Sequence, residues 1–249
     1  MATAPETVTV QSTLPFMEVH ALYAPITTER LIIRPICLRD IEGFHALCSQ
    51  PEVAALGFHN GTQAEYDIIQ NFAVMLNNMR PWIEQKIDFS ILLQAPDGGE
   101  GEYIGLMSME FTQDNWPVLS YRLRREYWSQ GYMTEAVQGF LHFWWNLPRG
   151  YAQNKVYSVS LHPSERTYGS IPTVVERVFA FVENGNAASR KVLQKSGFVH
   201  VGLYDQGTGA FVNVFPQTQV PPAHYRETFW GGQNQNTAVT NLSLGNLHI

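Results

Sequence analysis

The chain has 249 residues, of which 45% are hydrophobic, 12% aromatic and 15% charged, and its formal net charge is −6 at pH 7. This balance is typical of a globular protein with a substantial core and excludes an intrinsically disordered chain. A negative net charge without any run of Lys and Arg argues against a general nucleic-acid-binding protein, because phosphate binding needs clustered basic residues. The length allows one large domain or two small ones.

Metal and membrane chemistry are not indicated by the residue types. Cys37 and Cys48 are too few for a disulfide framework or a four-ligand zinc site, and the histidines lack the close spacing of a metal site. The first residues lack the basic and apolar runs of a secretory signal, and no apolar run is long enough to span a bilayer. We therefore expect a cytoplasmic protein that binds no metal, no membrane and no nucleic acid.

The first third of the chain alternates between strand and helix patterns. Residues 1–25 form a predicted N-terminal arm, in which alternating Val and Thr indicate an edge strand. Residues 29–36 alternate and contain a proline that disfavours a helix, which predicts a strand. One helix is predicted to begin near Asp40. A second is predicted after Thr62, which forms a capping-box pattern with Glu65.

The middle of the chain predicts a run of strands followed by a helix. Strands are predicted over residues 86–94, 103–111 and 118–124, and a glycine-rich turn joins the first two. Residues 132–145 have an apolar face at helical spacing. This order of elements is typical of an antiparallel sheet that is covered by helices.

The last third adds an insertion and a second strand and helix. Residues 148–173 are predicted to be an irregular insertion with a strand at most over 155–161, and they are placed to shape a substrate cleft. A strand over 174–182 and a helix over 187–198 follow, and residues 204–230 offer two more strands.

The elements together predict one α/β domain. We expect this domain to span residues 26–232 and a peripheral tail to span 233–249.

Residues 121–136 run from a strand through a short loop into a helix. The first N–H groups of a helix have no intrahelical partner and lie at the positive end of its dipole, so they can bind a diphosphate. Gly131 allows a positive φ or a close approach to a ligand, and Arg124, Arg125 and Gln130 add donors. By itself, the segment is equally typical of an ordinary crossover whose glycine only serves the turn.

The segment resembles motif A of the GCN5-related N-acetyltransferases, and most closely the branch that includes the ribosomal-protein N-terminal acetyltransferases. The matching residues are Tyr121, Leu123, Trp128, Gly131, Tyr132, Thr134, Glu135 and Ala136. Ser129 stands where this family usually has Gly, and Met133 stands where it usually has Ala. Because Ser129 carries a Cβ atom, we expect its φ to be negative.

Two further segments carry the same resemblance. Residues 183–198 resemble the family's helix that borders the pantetheine arm, with matches at Asn186, Ser189, Gly197 and Phe198. The opening strand also resembles that of the family. Its matching residues are Arg30, Leu31, Arg34 and Asp40. The three motifs occur in the family's order.

The resemblance implies a single-domain fold with a mixed, mostly antiparallel sheet, flanked by helices and with a splayed central strand pair. It also implies that acetyl-coenzyme A is the co-substrate and that the acetyl group passes directly to a primary amine, either a peptide N-terminus or a small molecule. The cofactor-binding residues that it implies are Leu123, Arg124, Arg125, Ser129, Gln130, Gly131, Tyr132, Met133, Thr134, Asn186 and Ser189. We expect a monomer or a homodimer.

The catalytic groups are less sharply indicated. Glu110, near the end of a predicted strand, is our candidate general base, although a solvated strand-end carboxylate is the simpler interpretation. Many members of the family have a Tyr, as the acid for the leaving thiolate, where this chain has Leu193. That role falls to Ser189, to Asn186 through water, or to no side chain. An inactive acyl-coenzyme A-binding or sensory module on the same fold is therefore the alternative function, and Glu135 is interpreted as a partner of the helix dipole.

Overall fold

The computed structural model describes residues 6–15, 24–55, 65–78, 86–111, 116–166, 169–203 and 207–214. The strands in these ranges are β1 (Thr7–Pro15), β2 (Ile26–Thr27), β3 (Leu31–Pro35), β4 (Lys86–Gln94), β5 (Glu100–Glu110), β6 (Val118–Leu123), β7 (Arg149–Tyr157), β8 (Arg177–Glu183), β9 (Val199–Leu203) and β10 (Thr208–Val214). The α-helices are α1 (Ile41–Cys48), α2 (Pro51–Ala54), α3 (Glu65–Asn78), α4 (Tyr132–Asn146) and α5 (Ala187–Lys195). No helix in this part of the chain has the length and apolar character needed to cross a membrane.

Eight strands form the main sheet, in the order β2-β3-β4-β5-β6-β8-β10-β9. All neighbouring pairs are antiparallel except β6 and β8, which are parallel and meet at a single ladder pair, Val118 with Phe179, within the described residues. Beyond that pair the two strands part. The mixed, mostly antiparallel sheet with a splayed central strand pair is thus confirmed.

Helices cover both faces of this sheet. Neighbouring residues of each strand point to opposite sides, so apolar side chains on each face need a covering layer. Met107 of β5 belongs to a core cluster with α4 and α5, in which the rings of Phe89 and Phe140 lie 5.1 Å apart. The next residue back, Leu106, belongs to a second cluster with α1 and α3. The sheet therefore has two distinct sides, one carrying α4 and α5 and the other carrying α1 and α3.

The N-terminal arm and the insertion form a second sheet. β1 pairs with β7 in antiparallel register over nine positions, from Thr7 with Tyr157 to Pro15 with Arg149. The strand predicted in the arm is confirmed. The prediction that residues 148–173 form an irregular insertion was wrong. The first part of this segment is a regular strand, and its partner strand lies about 140 residues earlier in the chain. The predicted strand over 155–161 is replaced by the end of β7 and a 3-10 turn over Ser158–Ser160.

A buried ion pair ties this second sheet to α4. The Arg149 guanidinium donates to the Glu176 carboxylate at 2.9 Å, and Thr13 of β1 donates to the same oxygen at 2.9 Å. Arg149 also donates to the carbonyl groups of Trp144 and Trp145 at the end of α4. Burial raises the pKa of Glu176 to about 7 and lowers that of Arg149, although their pairing opposes both changes. The arm is thus integrated with the domain.

Several predicted features lie outside the described residues. Thr62 and the tail over 233–249 are among them, as is most of the stretch 204–230. Within the described part of that stretch, β10 accounts for one predicted strand, and its partner β9 begins earlier, at Val199.

A buried network fixes the turn between β3 and α1. Arg34 donates through both terminal nitrogens to Asp40, at 2.7 and 2.8 Å, and the Ser90 hydroxyl donates to Asp40 at 2.7 Å. Arg34 also pairs with Glu100 on β5 at 2.9 Å. Burial alone would raise the pKa of Asp40, but the hydrogen bonds from Arg34, Ser90 and the Cys37 N–H lower it below its usual value.

We expect Asp40→Asn to lower the free energy of unfolding by about 3 kcal/mol at pH 7, because it leaves the buried Arg34 with an incomplete partner. A carboxyl group whose pKa is depressed by folding stabilises above its unfolded pKa, and this contribution is lost as the pH falls through the folded pKa. The variant should therefore lose less stability than the parent between pH 5 and pH 3. Urea unfolding at each pH measures both effects.

The exposed pair of Arg125 with Glu52 supplies the control, since both side chains are largely in solvent. Glu52→Gln should change the stability little at any of these pH values. Equal losses in Asp40→Asn and Glu52→Gln would contradict the role of the buried network.

Candidate functional site

The start of α4 has exposed backbone amides and no side-chain cap. Gly131 precedes the helix with a φ of 84°, and no side chain caps the first turn. The first helical hydrogen bond runs from the Glu135 N–H to the Gly131 carbonyl at 3.0 Å. The N–H groups before Glu135 therefore have no intrahelical acceptor, and Gly131 is exposed. A positive helix end with accessible amides suits a diphosphate without a metal.

Ser129 lies in the left-handed region, with a φ of 61°, and it is the one non-glycine residue with a positive φ in the described chain. The expectation of a negative φ at this position was wrong. The loop needs the conformation that glycine adopts without penalty, and a residue with a Cβ pays about 1–2 kcal/mol for it. The family's usual glycine has its physical explanation here.

A clamp from the first strand holds the loop. The Glu135 carboxylate accepts hydrogen bonds from the Thr28 hydroxyl at 2.6 Å and from Arg30 Nε at 2.7 Å. Arg30 also donates to the Gln130 carbonyl at 3.1 Å and lies 4.3 Å from the ring centre of Tyr132. Burial opposes ionisation of Glu135, but these hydrogen bonds lower its pKa. The sequence analysis missed this clamp, although the match at Arg30 was the available signal.

The predicted side-chain donors organise the loop. Arg124 pairs with Glu102 at 2.5 Å, and Arg125 pairs with Glu52. The Gln130 amide donates to the Glu126 carbonyl at 2.6 Å. Arg124 and Arg125 are thus paired with carboxylates, while Gln130 is bonded within the loop itself.

The other predicted contacts around the loop come from the backbone. Met133 and Leu123 are buried in the core, so they can contribute to a ligand only through backbone groups. Tyr132 and Thr134 are half-buried and lie in the first turn of α4. The backbone amides are therefore the principal anion donors that this turn offers.

A gap opens between β6 and β8 beyond their single ladder pair, and we call it the β6–β8 gap, between residues 119–123 and 180–183. The Arg124 N–H donates to Ile104 of β5, and the Pro117 carbonyl accepts from Phe179 of β8. Because backbone groups alternate in direction along a strand, the N–H groups of Tyr121 and Leu123 point into the gap. The predicted amides near Leu123 therefore lie where a polarised carbonyl could accept from them.

The second motif contacts β6 at the start of α5. The Asn186 side chain accepts from the Ser189 N–H at 3.0 Å and so caps α5. The Tyr121 hydroxyl crosses from β6 and donates to the Ser189 carbonyl at 3.2 Å. Burial raises the pKa of Tyr121, so its phenol stays protonated.

The residue at the family's usual acid position cannot act as an acid here. It is Leu193, an apolar side chain that is fully buried in the core. Tyr121 is therefore a donor whose role the sequence did not indicate, although the residue was among the matches to motif A.

Glu110 lies at the end of β5, exposed to solvent and paired in the ladder with Val118. Val118 is also the residue at which β6 meets β8. The carboxylate is thus one strand away from the closed end of the gap. Its role as a base stays a prediction.

The arrangement of potential metal ligands does not indicate a metal site in the part of the chain that the structure describes. No group of three or more His, Cys, Asp and Glu side chains is arranged there to hold a metal ion.

We predict that Ser129→Gly raises the free energy of unfolding by about 1 kcal/mol, since glycine adopts the positive φ without strain. Ser129→Ala is the matched control, because it removes the hydroxyl but keeps the Cβ atom, and we expect no gain from it. Thermal and urea unfolding of both variants measure the difference. Equal stability of the glycine and alanine variants would contradict strain at this position.

Comparison with known proteins agrees with this geometry. A family model described as an acetyltransferase (GNAT) domain matches residues 30–199. No curated protein sequence matches the chain.

Solved structures share the fold at low sequence identity. A GNAT-family acetyltransferase from Bacillus anthracis is 17% identical, with a TM-score of 0.53, over 77% of this chain and 98% of its own. A ribosomal L7/L12 α-N-protein acetyltransferase in complex with coenzyme A is 12% identical, with a TM-score of 0.56, over 77% and 98%. Spermidine N-acetyltransferase from Vibrio cholerae, in complex with coenzyme A and spermine, is 12% identical, with a TM-score of 0.52, over 76% and 97%. Because the family model covers most of the chain, this protein belongs to the GNAT acetyltransferase family.

Proposed function

We propose that this protein is an acetyl-coenzyme A-dependent N-acetyltransferase that transfers the acetyl group directly to a primary amine. The observation that carries the proposal is the uncapped start of α4, with Gly131 at a φ of 84°, beside the β6–β8 gap. One group of backbone amides suits a diphosphate and the other suits a carbonyl oxygen. Family membership supports the same function.

Each part of the site has a task in this proposal. The amides at the start of α4 hold the diphosphate, and the clamp of Arg30 and Glu135 keeps the loop in place. The N–H groups of Tyr121 and Leu123 line the gap and stabilise negative charge on the acetyl oxygen. Acetyl-coenzyme A supplies the thioester that makes the acetyl group transferable.

Direct transfer is supported by the surroundings of the cysteines. Cys48 is buried on the α1 side of the sheet, and burial raises the pKa of its thiol, which makes it a poor nucleophile. Cys37 lies at the 3-10 turn that precedes α1, where its N–H is bonded to Asp40. A covalent acetyl-enzyme on either cysteine is therefore not part of the proposal.

A primary amine is the acceptor class that the named relatives support. One acts on the α-amino group of a ribosomal protein and another on spermidine, so both acceptors are amines. The half-buried Tyr121 phenol stays protonated at neutral pH, and it can donate a hydrogen bond toward the leaving thiolate once it turns away from the Ser189 carbonyl. We keep a peptide N-terminus and a small-molecule amine as the two acceptor types.

Thiol release from acetyl-coenzyme A with a panel of amines tests this function. We expect release to require a free amine, with peptides and polyamines as the two test classes and Nα-acetylated peptides as the control. Mass spectrometry should find the acetyl group on nitrogen. Tight coenzyme A binding without turnover for any amine would contradict the proposal and favour the inactive module.

The role of the α4 start is tested by Gly131→Ala. The added Cβ atom disfavours the positive φ at the end of the loop, so we expect coenzyme A to bind about tenfold more weakly. Gly169→Ala is the matched control, because Gly169 has a φ of 87° and open space around it. Calorimetry should show a changed Kd only for Gly131→Ala. An equal change in both variants would argue against a diphosphate at α4.

A further inference from the structure

A row of three polar residues crosses the sheet toward the β6–β8 gap. Asp88 of β4 pairs in register with Ser108 of β5, and Ser108 pairs with Ser120 of β6. Residues that pair in this way project their side chains to the same face. The face is the one that carries α1 and α3, because Ser108 is two residues from Leu106. We call Asp88, Ser108 and Ser120 the polar row.

The inner two members of the row are isolated from solvent. Asp88 is 0% exposed and Ser108 is 2% exposed, and the Ser108 hydroxyl donates to Asp88 Oδ1. Asp88 Oδ2 is buried without a hydrogen-bond partner among the described residues. A buried carboxylate oxygen in this state costs free energy, and such groups call for a functional or structural reason.

Basic side chains compensate part of the charge of this carboxylate. Lys86 Nζ lies 3.5 Å from Asp88 Oδ1, and Arg122 lies close enough for an electrostatic interaction with Asp88. Burial lowers the pKa of Arg122 to about 10. Tyr103 is a further buried neighbour of this group. Asp88 is therefore surrounded by basic and polar side chains without being fully hydrogen-bonded.

The outer end of the row, Ser120, lies on β6 at the β6–β8 gap. The β6–β8 gap is closed at Val118 with Phe179 and opens toward Leu123 and the α4 start. Ser120 directly precedes Tyr121, whose N–H lines the gap, and it is two residues from Val118 at the closed end. Ser120 is half-buried and its Cα lies about 5.5 Å from that of Ser108, as in a hydrogen-bonded antiparallel pair.

We propose that the polar row is a proton route, in which Ser120 takes the proton of the acceptor amine and passes it through Ser108 to Asp88. The proposal rests on the proposed N-acetyltransferase function and names its proton acceptor. In it Ser120 is the catalytic residue, while Ser108 and Asp88 act through it as positioning residues. The exposed Glu110, our candidate from the sequence, is then not the base.

The step balances as follows. The amine nitrogen forms a bond to the acetyl carbon, and the carbon–sulfur bond breaks with its electron pair going to sulfur. The nitrogen gives its proton to the Ser120 oxygen, which gives its own proton to Ser108. Ser108 in turn protonates the Asp88 carboxylate. Because Asp88 is buried, the proton returns along the same row through Ser108 and Ser120 and reaches the thiolate in the β6–β8 gap before the next turnover.

Three variants test the route, each assayed with the best amine from the panel and acetyl-coenzyme A. We expect Ser120→Ala and Asp88→Asn to lower kcat about 100-fold, in the range of general-base catalysis, with the Kd of coenzyme A unchanged. Ser120→Thr keeps a hydroxyl and should retain most of kcat. The solvent deuterium isotope effect on kcat should shrink in Ser120→Ala, which a purely structural role would not cause.

Ser90→Ala is the matched control, since Ser90 is also fully buried on β4 and donates to a buried aspartate, Asp40, at 2.7 Å. It should lower stability while leaving kcat and the isotope effect unchanged. Glu110→Gln is assayed beside these variants, because Glu110 is the rival candidate for the base. Ser120 is half-buried, so Ser120→Ala remains informative if Asp88→Asn does not fold.

Two results would overturn the route. One is an unchanged kcat and isotope effect in Ser120→Ala, and the other is a loss of kcat in Glu110→Gln with none in Ser120→Ala. Both leave the N-acetyltransferase function standing, because the parent protein still turns over. A parent protein that releases no thiol with any amine would contradict the function and the route together.

Discussion

The parting of β6 and β8 after a single residue pair is the constraint on which the site depends. A strand that lies inside a sheet normally hydrogen-bonds its N–H and C=O groups to both neighbouring strands. A buried amide without an acceptor raises the free energy of the folded state. Here the amides of Tyr121 and Leu123 face an open space, while those on the other edge of β6 are bound to β5. The fold thus supplies a row of hydrogen-bond donors that a ligand can satisfy.

Helix α4 begins beside the same gap, and contacts at both of its ends hold it in this position. At its start, Glu135 is bound to Thr28 and Arg30, so the first strand fixes the loop that presents the amides. At its end, Arg149 donates to the last carbonyl groups and places a positive charge at the negative end of the dipole. Arg149 is in turn paired with Glu176, so the N-terminal arm and the insertion also support this helix. Binding at the gap therefore draws on contacts far from it.

The sequence predicted those parts of the fold that local patterns determine. The alternation over residues 86–94 and the apolar face over 132–145 correspond to β4 and α4, because period and burial agree there. The sequence did not predict β7 as a regular strand, because its partner strand lies in the N-terminal arm. Pairing between strands so far apart in the chain leaves no local sequence pattern. At the site, Gly131 was readable from its residue type, whereas the positive φ of Ser129 opposes that residue's own preference. The register that aligns Asp88 with Ser108 likewise appears only when the strands are paired.

The central claim is that free amides at the start of α4 bind a diphosphate. Amide NMR of the ¹⁵N-labelled protein during titration with coenzyme A tests this claim most directly. The account predicts saturable downfield proton shifts for the N–H groups of Gly131, Tyr132, Met133 and Thr134, together with that of Leu123 in the gap. Saturation with those amides unmoved, and with the shifts concentrated elsewhere on the surface, would contradict it.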